Sequence, residues 1–255
     1  MWRWLLALLC LAVLPLHAGA AAYTFPGALP AGCNGSGGSY TCSGLTLAYG
    51  DTVTIASPKP ATIQVNGNLS TDTSTINAAG TASDLTLIVT GTLTLGYQAR
   101  IKANITAASV VDAGGGQVQI TGSLTATSGN VALAFQSSVT GNISVSGAAT
   151  LTTGQSGSVG GSLSAGSGTV TVSESGTVAG SINSSGPVVV NQFAVISGNL
   201  SAGSGAVQLA YQSTLNGNLS STGAITLAQA ARVNGSITGG SGNVSIGYGA
   251  TVVGA

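Results

Sequence analysis

The chain has 255 residues with five basic and five acidic side chains, so only 4% of it is charged. This fraction is far below the roughly 25% of an ordinary soluble domain, and the lack of clustered Lys or Arg argues against nucleic acid or an anionic membrane surface as a partner. Because 44% of the residues are hydrophobic, the chain also lacks the low hydrophobicity and high charge of disordered proteins.

The first twenty residues, MWRWLLALLCLAVLPLHAGA, have the pattern of a secretory signal peptide. A basic Arg3 precedes an apolar stretch at 5–14, and small residues at 18–20 form a cleavage site. The apolar stretch is shorter than the ~20 residues that span a bilayer, which argues against a membrane anchor. The sequence therefore predicts export through the secretory pathway to the periplasm, the outer surface or the extracellular space, with no membrane span after cleavage.

Cleavage would leave two cysteines, Cys33 and Cys42, and no histidine. In an exported protein this pair predicts a disulfide across the Gly- and Ser-rich segment between them. Closing so short a loop is worth roughly 2 to 3 kcal/mol in the chain-entropy model. A metal half-site is the alternative, but the mature chain offers no further His or Cys to complete it. We therefore predict a disulfide-linked amino-terminal cap over residues 21–44, and we expect no metal or cofactor.

Residues 45–119 contain short alternating apolar runs at irregular intervals. The segments VNGNLS (65–70), VTGTLTL (89–95) and IKANITA (101–107) share one element. In this element an apolar residue is followed by a small residue two positions later and by Leu or Ile four positions later. We predict irregular β-solenoid coils here, beginning near Leu45, with residues 71–84 as a longer loop.

From residue 120 to residue 255 the same element recurs at a nearly constant interval. Spacings of 19, 20, 19, 18, 19, 18 and 19 residues separate its starts at Ile120, Val139, Val159, Val178, Ile196, Leu215, Val233 and Val252. Such regularity is typical of stacked repeat architectures. The period-two alternation of β-branched residues, broken by Gly and Ser, predicts short strands with tight corners.

Each repeat could form either one hairpin or one solenoid coil. Asn-Gly pairs favour hairpins, but the residue before the repeated glycine varies as Thr140, Gly160, Ala179 and Ser197. The glycine therefore marks a strand position that needs a small residue. Nineteen residues extend over about 63 Å at ~3.3 Å per residue, enough for three short faces around a narrow core. We predict an all-β fold, a single-stranded parallel β-helix (β-solenoid) with about 19 residues per coil.

The low charge has a physical cause in such a fold. Each residue lies about 4.8 Å from its counterpart in the next coil, and like charges at this spacing cost roughly 1 kcal/mol per contact even in water. Ser, Thr and Asn can instead form hydrogen-bonded ladders. The outward column after the glycine has this composition, with Ser123, Asn142, Ser162, Ser181, Asn199, Asn218 and Ser236.

The charged residues give no sign of a catalytic site. Many parallel β-helices cleave polysaccharides with clustered carboxylates. Here no spacing pairs any two of Asp51, Lys59, Asp72, Asp84, Arg100, Lys102, Asp112, Glu174 and Arg232. Asp112 beside a glycine run could suggest a calcium turn, but the repeated acidic ligands of calcium-binding solenoids are missing. We therefore expect a protein that is not an enzyme.

Aromatic residues recur four positions before the start of a coil, at Tyr97, Phe135, Tyr211 and Tyr248. Two interpretations are open. The rings could form a surface column that stacks against sugar rings or a partner protein, or they could pack into a corner of the core. Corner packing is favoured, because these positions share the inward parity of Leu95, Leu133, Leu209 and Ile246.

Four segments between residues 23 and 110 occur in a fixed order, namely YTFPGALPAGCNGSGGSYTC, LAYGDTVTI, KPATIQVNGNLS and SDLTLIVTGTLTLG. Together they resemble the amino-terminal region of MshQ-like proteins. These are large bacterial surface proteins associated with biogenesis of the mannose-sensitive haemagglutinin pilus. The resemblance implies a structural role in pilus-related or adhesive surface assembly, with surface or pilus proteins as partners. Larger members continue into further domains, so we expect a short member or a fragment.

The repeats over residues 100–255 resemble the bactofilins, the polymer-forming cytoskeletal proteins of bacteria. The resemblance rests on the Val-x-Gly-x-Leu/Ile element and its period. It implies a right-handed β-helix and self-association through the solenoid ends into filaments. Bactofilins are typically cytoplasmic and often have an acidic residue after the glycine, where this chain has Ser or Asn. A filament-forming scaffold is therefore the alternative to a role in surface assembly.

Overall fold

The computed structural model describes residues 19–254 and consists almost entirely of short β-strands. The chain winds through about eleven stacked coils. Each coil passes three faces in the same order, which we call faces 1, 2 and 3, and strands of successive coils pair in parallel on every face. The predicted parallel β-solenoid is therefore confirmed. Residues 1–18 of the predicted signal peptide lie outside the described residues.

Face 1 is a parallel sheet of twelve strands. Each coil contributes one strand, and the last strand begins a further coil. With all strands numbered β1 to β33 in chain order, face 1 comprises β1 (Ala22–Phe25), β5 (Thr52–Ile55), β8 (Thr75–Ile76), β10 (Arg100–Lys102), β12 (Gln119–Thr121), β15 (Ser138–Val139), β18 (Ser158–Val159), β21 (Thr177–Val178), β24 (Val195–Ile196), β27 (Thr214–Leu215), β30 (Arg232–Val233) and β33 (Thr251–Val252).

Faces 2 and 3 are joined because two long strands, β9 (Leu85–Leu95) and β11 (Asn104–Asp112), run through both. The other strands of face 2 are β3 (Ser39–Cys42), β6 (Ala61–Val65), β13 (Leu124–Ala126), β16 (Ile143–Val145), β19 (Leu163–Ala165), β22 (Ile182–Ser184), β25 (Leu200–Ser201), β28 (Leu219–Ser221) and β31 (Ile237–Gly239). Those of face 3 are β4 (Leu45–Leu47), β7 (Leu69–Thr71), β14 (Val131–Ala132), β17 (Leu151–Thr152), β20 (Val170–Val172), β23 (Val188–Val190), β26 (Val207–Leu209), β29 (Ile225–Leu227) and β32 (Val244–Ile246).

The stack begins earlier than the sequence predicted. Strand β1 pairs in parallel with β5, and β3 pairs with β6, so stacking starts at Ala22 and not near Leu45. The predicted loop 71–84 is also shorter, because β8 lies within it and pairs with β5 and β10. Residues 77–84, which end in the 3-10 turn Ala82–Asp84, form the remaining insertion.

The amino-terminal end is closed by a hairpin. Strand β2 (Cys33–Ser36) pairs antiparallel with β3, and the directly opposed Cys33 and Cys42 form a disulfide. The predicted bridge is therefore confirmed. Beneath the hairpin, the buried rings of Phe25 and Tyr40 meet edge to face with centroids 5.0 Å apart. Strand β2 covers the outer edge of β3 and is itself the last described strand of face 2 at this end.

The inward columns predicted from the repeat form the core. Ile196, Leu200, Val207 and Leu209 are each at most 1% exposed, and the same positions are buried in the neighbouring coils. Burying one such side chain stabilises the fold by about 1.5 to 3 kcal/mol. At the carboxyl-terminal end, β32 pairs with β29 alone among the described strands, so the column residue Ile246 is 56% exposed.

A column of glycines follows the strands of face 1, at a place where successive coils approach closely. A Cβ atom at Gly198 would lie 2.7 Å from the carbonyl carbon of Gly180, and one at Gly217 would lie 2.5 Å from the carbonyl oxygen of Gly198. Such contacts are too short for any side chain, which confirms the predicted need for a small residue. The glycine column comprises Gly122, Gly141, Gly161, Gly180, Gly198, Gly217 and Gly235.

The outward residues after the glycines form the predicted polar ladder. The backbone N–H of Ser162 donates to Asn142 Oδ1 at 2.8 Å, and that of Asn218 donates to Asn199 Oδ1 at 2.8 Å. The Asn199 N–H donates to Ser181 Oγ at 3.1 Å in the same way. Each of these three neutral side chains thus accepts from the backbone of the next coil, and the ladder holds the coils together without placing charges about 4.8 Å apart.

Candidate functional site

The corner between face 3 and face 1 is a β-turn that repeats along the stack. At one corner the N–H of Gly176 donates to the carbonyl of Ser173 at 2.9 Å, with Glu174 and Ser175 as the second and third turn residues. The φ of Ser175 is 55°. A positive φ at the third position is typical of a type II turn.

Ten corners in the described chain have a third residue with φ between 52° and 78°, and this backbone hydrogen bond closes all of them except the corner of Gln117, where the Val118 N–H donates to Ser137 Oγ. These third residues are Gly50, Gln98, Gln117, Gln136, Ser156, Ser175, Phe193, Gln212, Ala230 and Gly249. Only two of the ten are glycines, so at the other eight the residue type does not indicate a positive φ. The repeat pattern therefore did not predict these turns.

The turns are joined to one another by backbone hydrogen bonds. The N–H of the third residue donates to the carbonyl of the second residue in the next coil, as from Gln117 to Phe135 at 2.7 Å and from Phe193 to Tyr211 at 3.1 Å. We call this line of stacked turns the turn edge. From Gln98 to Tyr248 each turn donates this bond to the next, so the second-position side chains from Tyr97 onward are held in register.

The predicted aromatic column lies at the second position of these turns, and its rings face solvent. The exposed fractions are 43% for Tyr97, 43% for Phe135, 39% for Tyr211 and 87% for Tyr248. The expectation that they pack into the core was wrong. Strand parity fails here because the chain leaves face 3 and enters the turn immediately before each ring.

Two further aromatic residues belong to the same edge. Tyr49 is 73% exposed at a second position, and Phe193 is 44% exposed at a third position. The rings of Phe193 and Tyr211 meet edge to face with centroids 5.7 Å apart. A comparison of LAYGDTV (47–53) with IGYGATV (246–252) would have found Tyr49, whereas nothing in the sequence distinguishes Phe193.

Polar side chains fill the space between the rings. Gln98 Nε2 donates to Gln117 Oε1 at 2.8 Å, and the Tyr97 hydroxyl donates to the same oxygen at 3.3 Å. Farther along, Glu174 and Tyr211 border a shallow depression of about 300 Å³. The turn edge thus presents aromatic faces, amides and hydroxyls together.

The two buried carboxylates have structural partners. Asp51 accepts hydrogen bonds from the N–H groups of Ala21 and Ala48 at 2.7 and 2.8 Å. Asp112 accepts from the Ser137 hydroxyl at 2.6 Å. Both groups therefore tie corners of the solenoid together.

The Lys59 ammonium and the Asp84 carboxylate form an ion pair at 3.1 Å. A hydrogen bond from the Thr81 N–H and the nearby Lys59 charge hold the pKa of Asp84 below its ordinary value of 3.8. Lys102 Nζ donates to the carbonyl of Ala78 at 2.6 Å. The remaining charged side chains lie on separate coils, namely Asp72, Arg100, Glu174 and Arg232.

Within residues 19–254, no group of three or more His, Cys, Asp or Glu side chains is placed to hold a metal ion. In that same part of the chain, no helix has the length and apolar character needed to cross a membrane. Comparisons with protein-family models, with curated proteins and with solved structures found no match. The turn edge is therefore the candidate functional site on the strength of its geometry alone.

Proposed function

We propose that this protein is a non-enzymatic structural rod of the cell surface that takes part in pilus-related or adhesive assembly. The observation that carries the proposal is the continuous stack of about eleven coils. At about 4.8 Å per coil, the stack is a rod of roughly 50 Å with a nearly constant cross-section. Such a rod is suited to spacing or displaying other components.

The surroundings of the carboxylate side chains support a structural role. Asp51 and Asp112 are buried and hydrogen-bonded within corners, and the Asp84 carboxylate is paired with Lys59. General acid and base catalysis needs titratable groups that reach a common substrate atom. The carboxylates of Asp51, Asp84 and Asp112 instead accept hydrogen bonds from backbone N–H groups of their own or neighbouring coils.

The disulfide supports export. Disulfides persist in oxidising compartments such as the periplasm or the cell exterior, and Cys33–Cys42 joins the hairpin at the amino-terminal end. A fusion of residues 1–25 to an alkaline phosphatase without its own leader tests this step. We expect activity from the wild-type fusion and none from a Leu8→Arg variant, whose apolar stretch is interrupted. An inactive wild-type fusion would contradict export.

A filament-forming scaffold is the second candidate, favoured by the exposed inward-column residues Val244 and Ile246. At the opposite end, β1 and β4 each pair on one side only among the described strands, so faces 1 and 3 can add strands there. A filament needs contacts at both ends of each copy, so one of its contacts would involve the coil that contains β32 and the other the coil that contains β1 and β4.

Electron microscopy and light scattering of the exported chain, residues 21–255, distinguish the two candidates. Single rods of roughly 50 Å support a spacer or display role. Filaments that disappear in Ile246→Lys, but persist in the outer-face control Thr177→Lys, support the scaffold. Deletion of the gene in the source organism tests the surface role, and unchanged piliation and adhesion would contradict it.

A further inference from the structure

At the second positions of the turn edge, aromatic residues recur on alternate coils, whereas Phe193 lies at a third position on an intervening coil. The turns that precede β5, β10, β15, β21, β27 and β33 carry at their second positions Tyr49, Tyr97, Phe135, Glu174, Tyr211 and Tyr248. At the equivalent place, four residues before the buried residue of the next face 1 strand, the intervening corners carry Asp72, Gly116, Gln155, Gln192 and Gln229; the Asp72 corner is not one of the ten turns listed above. Five of the six alternate positions are thus aromatic, and none of the intervening ones is.

This alternation sets a spacing along the solenoid axis. Two coils correspond to about 10 Å, so successive rings are separated by that distance, with one interruption at Glu174. Because the turns are held in register by hydrogen bonds between their backbones, the spacing is built into the fold. The rings are also substantially exposed, so a ligand can reach them without displacing the core.

We propose that the turn edge binds an extended, neutral polysaccharide that lies parallel to the solenoid axis. The C–H faces of pyranose rings pack on aromatic rings, and the Gln side chains between them offer amide donors and acceptors for hydroxyl groups. The ring spacing is comparable to the disaccharide unit of an extended β-1,4-linked chain, in which alternate sugars present the same face. A polymer with this repeat can meet one ring at every second sugar.

The charges of the turn edge disfavour nucleic acid and acidic polysaccharides as ligands. Nucleic acid also stacks on aromatic rings, but its binding depends on Lys and Arg contacts to phosphate. The turns carry no basic residue at their second and third positions, and neither does the corner at residues 72 and 73; the charged side chains at these places are Asp72 and Glu174. An acidic polysaccharide would be repelled by the same groups. The edge therefore favours a neutral ligand.

The interruption at Glu174 provides a gain-of-function test. Glu174→Tyr restores an aromatic residue at the one alternate position that lacks it, between Phe135 and Tyr211. Gln155→Tyr adds the same ring one coil away, out of phase with the others. Only the first change extends the period that the ligand is proposed to follow.

Affinity electrophoresis of the exported chain through gels that contain soluble polysaccharide measures the binding. The neutral β-1,4-linked probes are hydroxyethyl cellulose and glucomannan, and carboxymethyl cellulose, which has the same backbone linkage, is the acidic control. We expect retardation by at least one neutral probe and none by the acidic one. The triple variant Tyr97→Ala/Phe135→Ala/Tyr211→Ala should lose about tenfold or more in affinity, the scale of losing aromatic contacts. Phe135→Tyr should bind as the wild type does.

Glu174→Tyr should bind more tightly than the wild type, and Gln155→Tyr should not. Circular dichroism melts verify that each variant is folded. The proposal is overturned if neither neutral probe retards the wild type, or if the triple variant binds equally well. It is also overturned if the triple variant instead abolishes lateral association of copies, since the edge would then be a protein contact. Rod formation is measured separately by microscopy, so either proposal can fail without the other.

Discussion

Substitution of one member of the glycine column tests how tightly successive coils must approach. In Gly198→Ala the new Cβ would lie 2.7 Å from both the carbonyl carbon and the carbonyl oxygen of Gly180, and 2.5 Å from Ser181 Oγ. These atoms belong largely to backbone that cannot rotate away. The two coils must therefore separate by several tenths of an ångström at this corner.

The cost follows from the bonds that cross the same joint. The Gly198 N–H donates to the Gly180 carbonyl at 3.1 Å, and the Asn199 N–H donates to Ser181 Oγ at 3.1 Å. Weakening both bonds costs about 1 kcal/mol each, and overpacking adds typically about 1 to 3 kcal/mol. We expect Gly198→Ala to lower the free energy of unfolding by about 3 to 5 kcal/mol. For a chain of this size, that is a fall in Tm of roughly 6 to 20 °C.

Thermal melts followed by circular dichroism measure the effect, with two controls. A Cβ at Gly44 would meet only the Asn68 carbonyl oxygen, at 3.9 Å, so Gly44→Ala should melt close to the wild type. Ser197→Ala changes an exposed side chain next to Gly198 and should also be neutral. If Gly198→Ala has the same Tm as these controls, the coils can separate without cost, and their close approach does not explain the glycine.

Three further predictions concern the disulfide, the turn edge and the ion pair. Replacing Cys33 and Cys42 by Ala should cost roughly 2 to 3 kcal/mol by freeing a short loop in the unfolded chain, and denaturant titration that shows no loss would contradict this. Ala230→Gly should raise stability by about 1 kcal/mol, since φ is 57° there and glycine adopts it without strain; a lower Tm would refute that reasoning. Because the pKa of Asp84 is lowered on folding, its contribution is present above pH 3.8 and is lost as the pH falls through the folded-state pKa. NMR titration should show that Lys59→Met moves this pKa upward, and an unchanged midpoint would show that Lys59 has no part in the shift.

Much of the core could be predicted from the sequence because a parallel solenoid repeats a local pattern. The inward residues Ile196, Leu200, Val207 and Leu209 were assigned from spacing alone, and all are buried. Each residue pairs with its own counterpart in the next coil, so the period along the chain is also the register between strands. For the same reason the glycine column and the polar ladder could be recognised from their spacing in the sequence.

The start of the solenoid could not be predicted from the period. The partners Tyr23 and Val53 are 30 residues apart, Val53 and Ile76 are 23 apart, and Ile76 and Ile101 are 25 apart. Insertions on the outside of a coil change the spacing in sequence without changing the distance between strands. These first coils therefore stack as regularly as the later ones, although their sequence pattern is irregular.

The sequence by itself determined the kind of fold, the inward columns and the disulfide, because these depend on hydrophobic periodicity and on the pairing of two cysteines. Only the tertiary structure decided that Tyr97, Phe135 and Tyr211 face solvent. Their orientation depends on a turn whose third residue is Gln or Ser more often than glycine, so local preference does not specify it. Hydrogen bonds between stacked turns impose that conformation, and they exist only when neighbouring coils are in place.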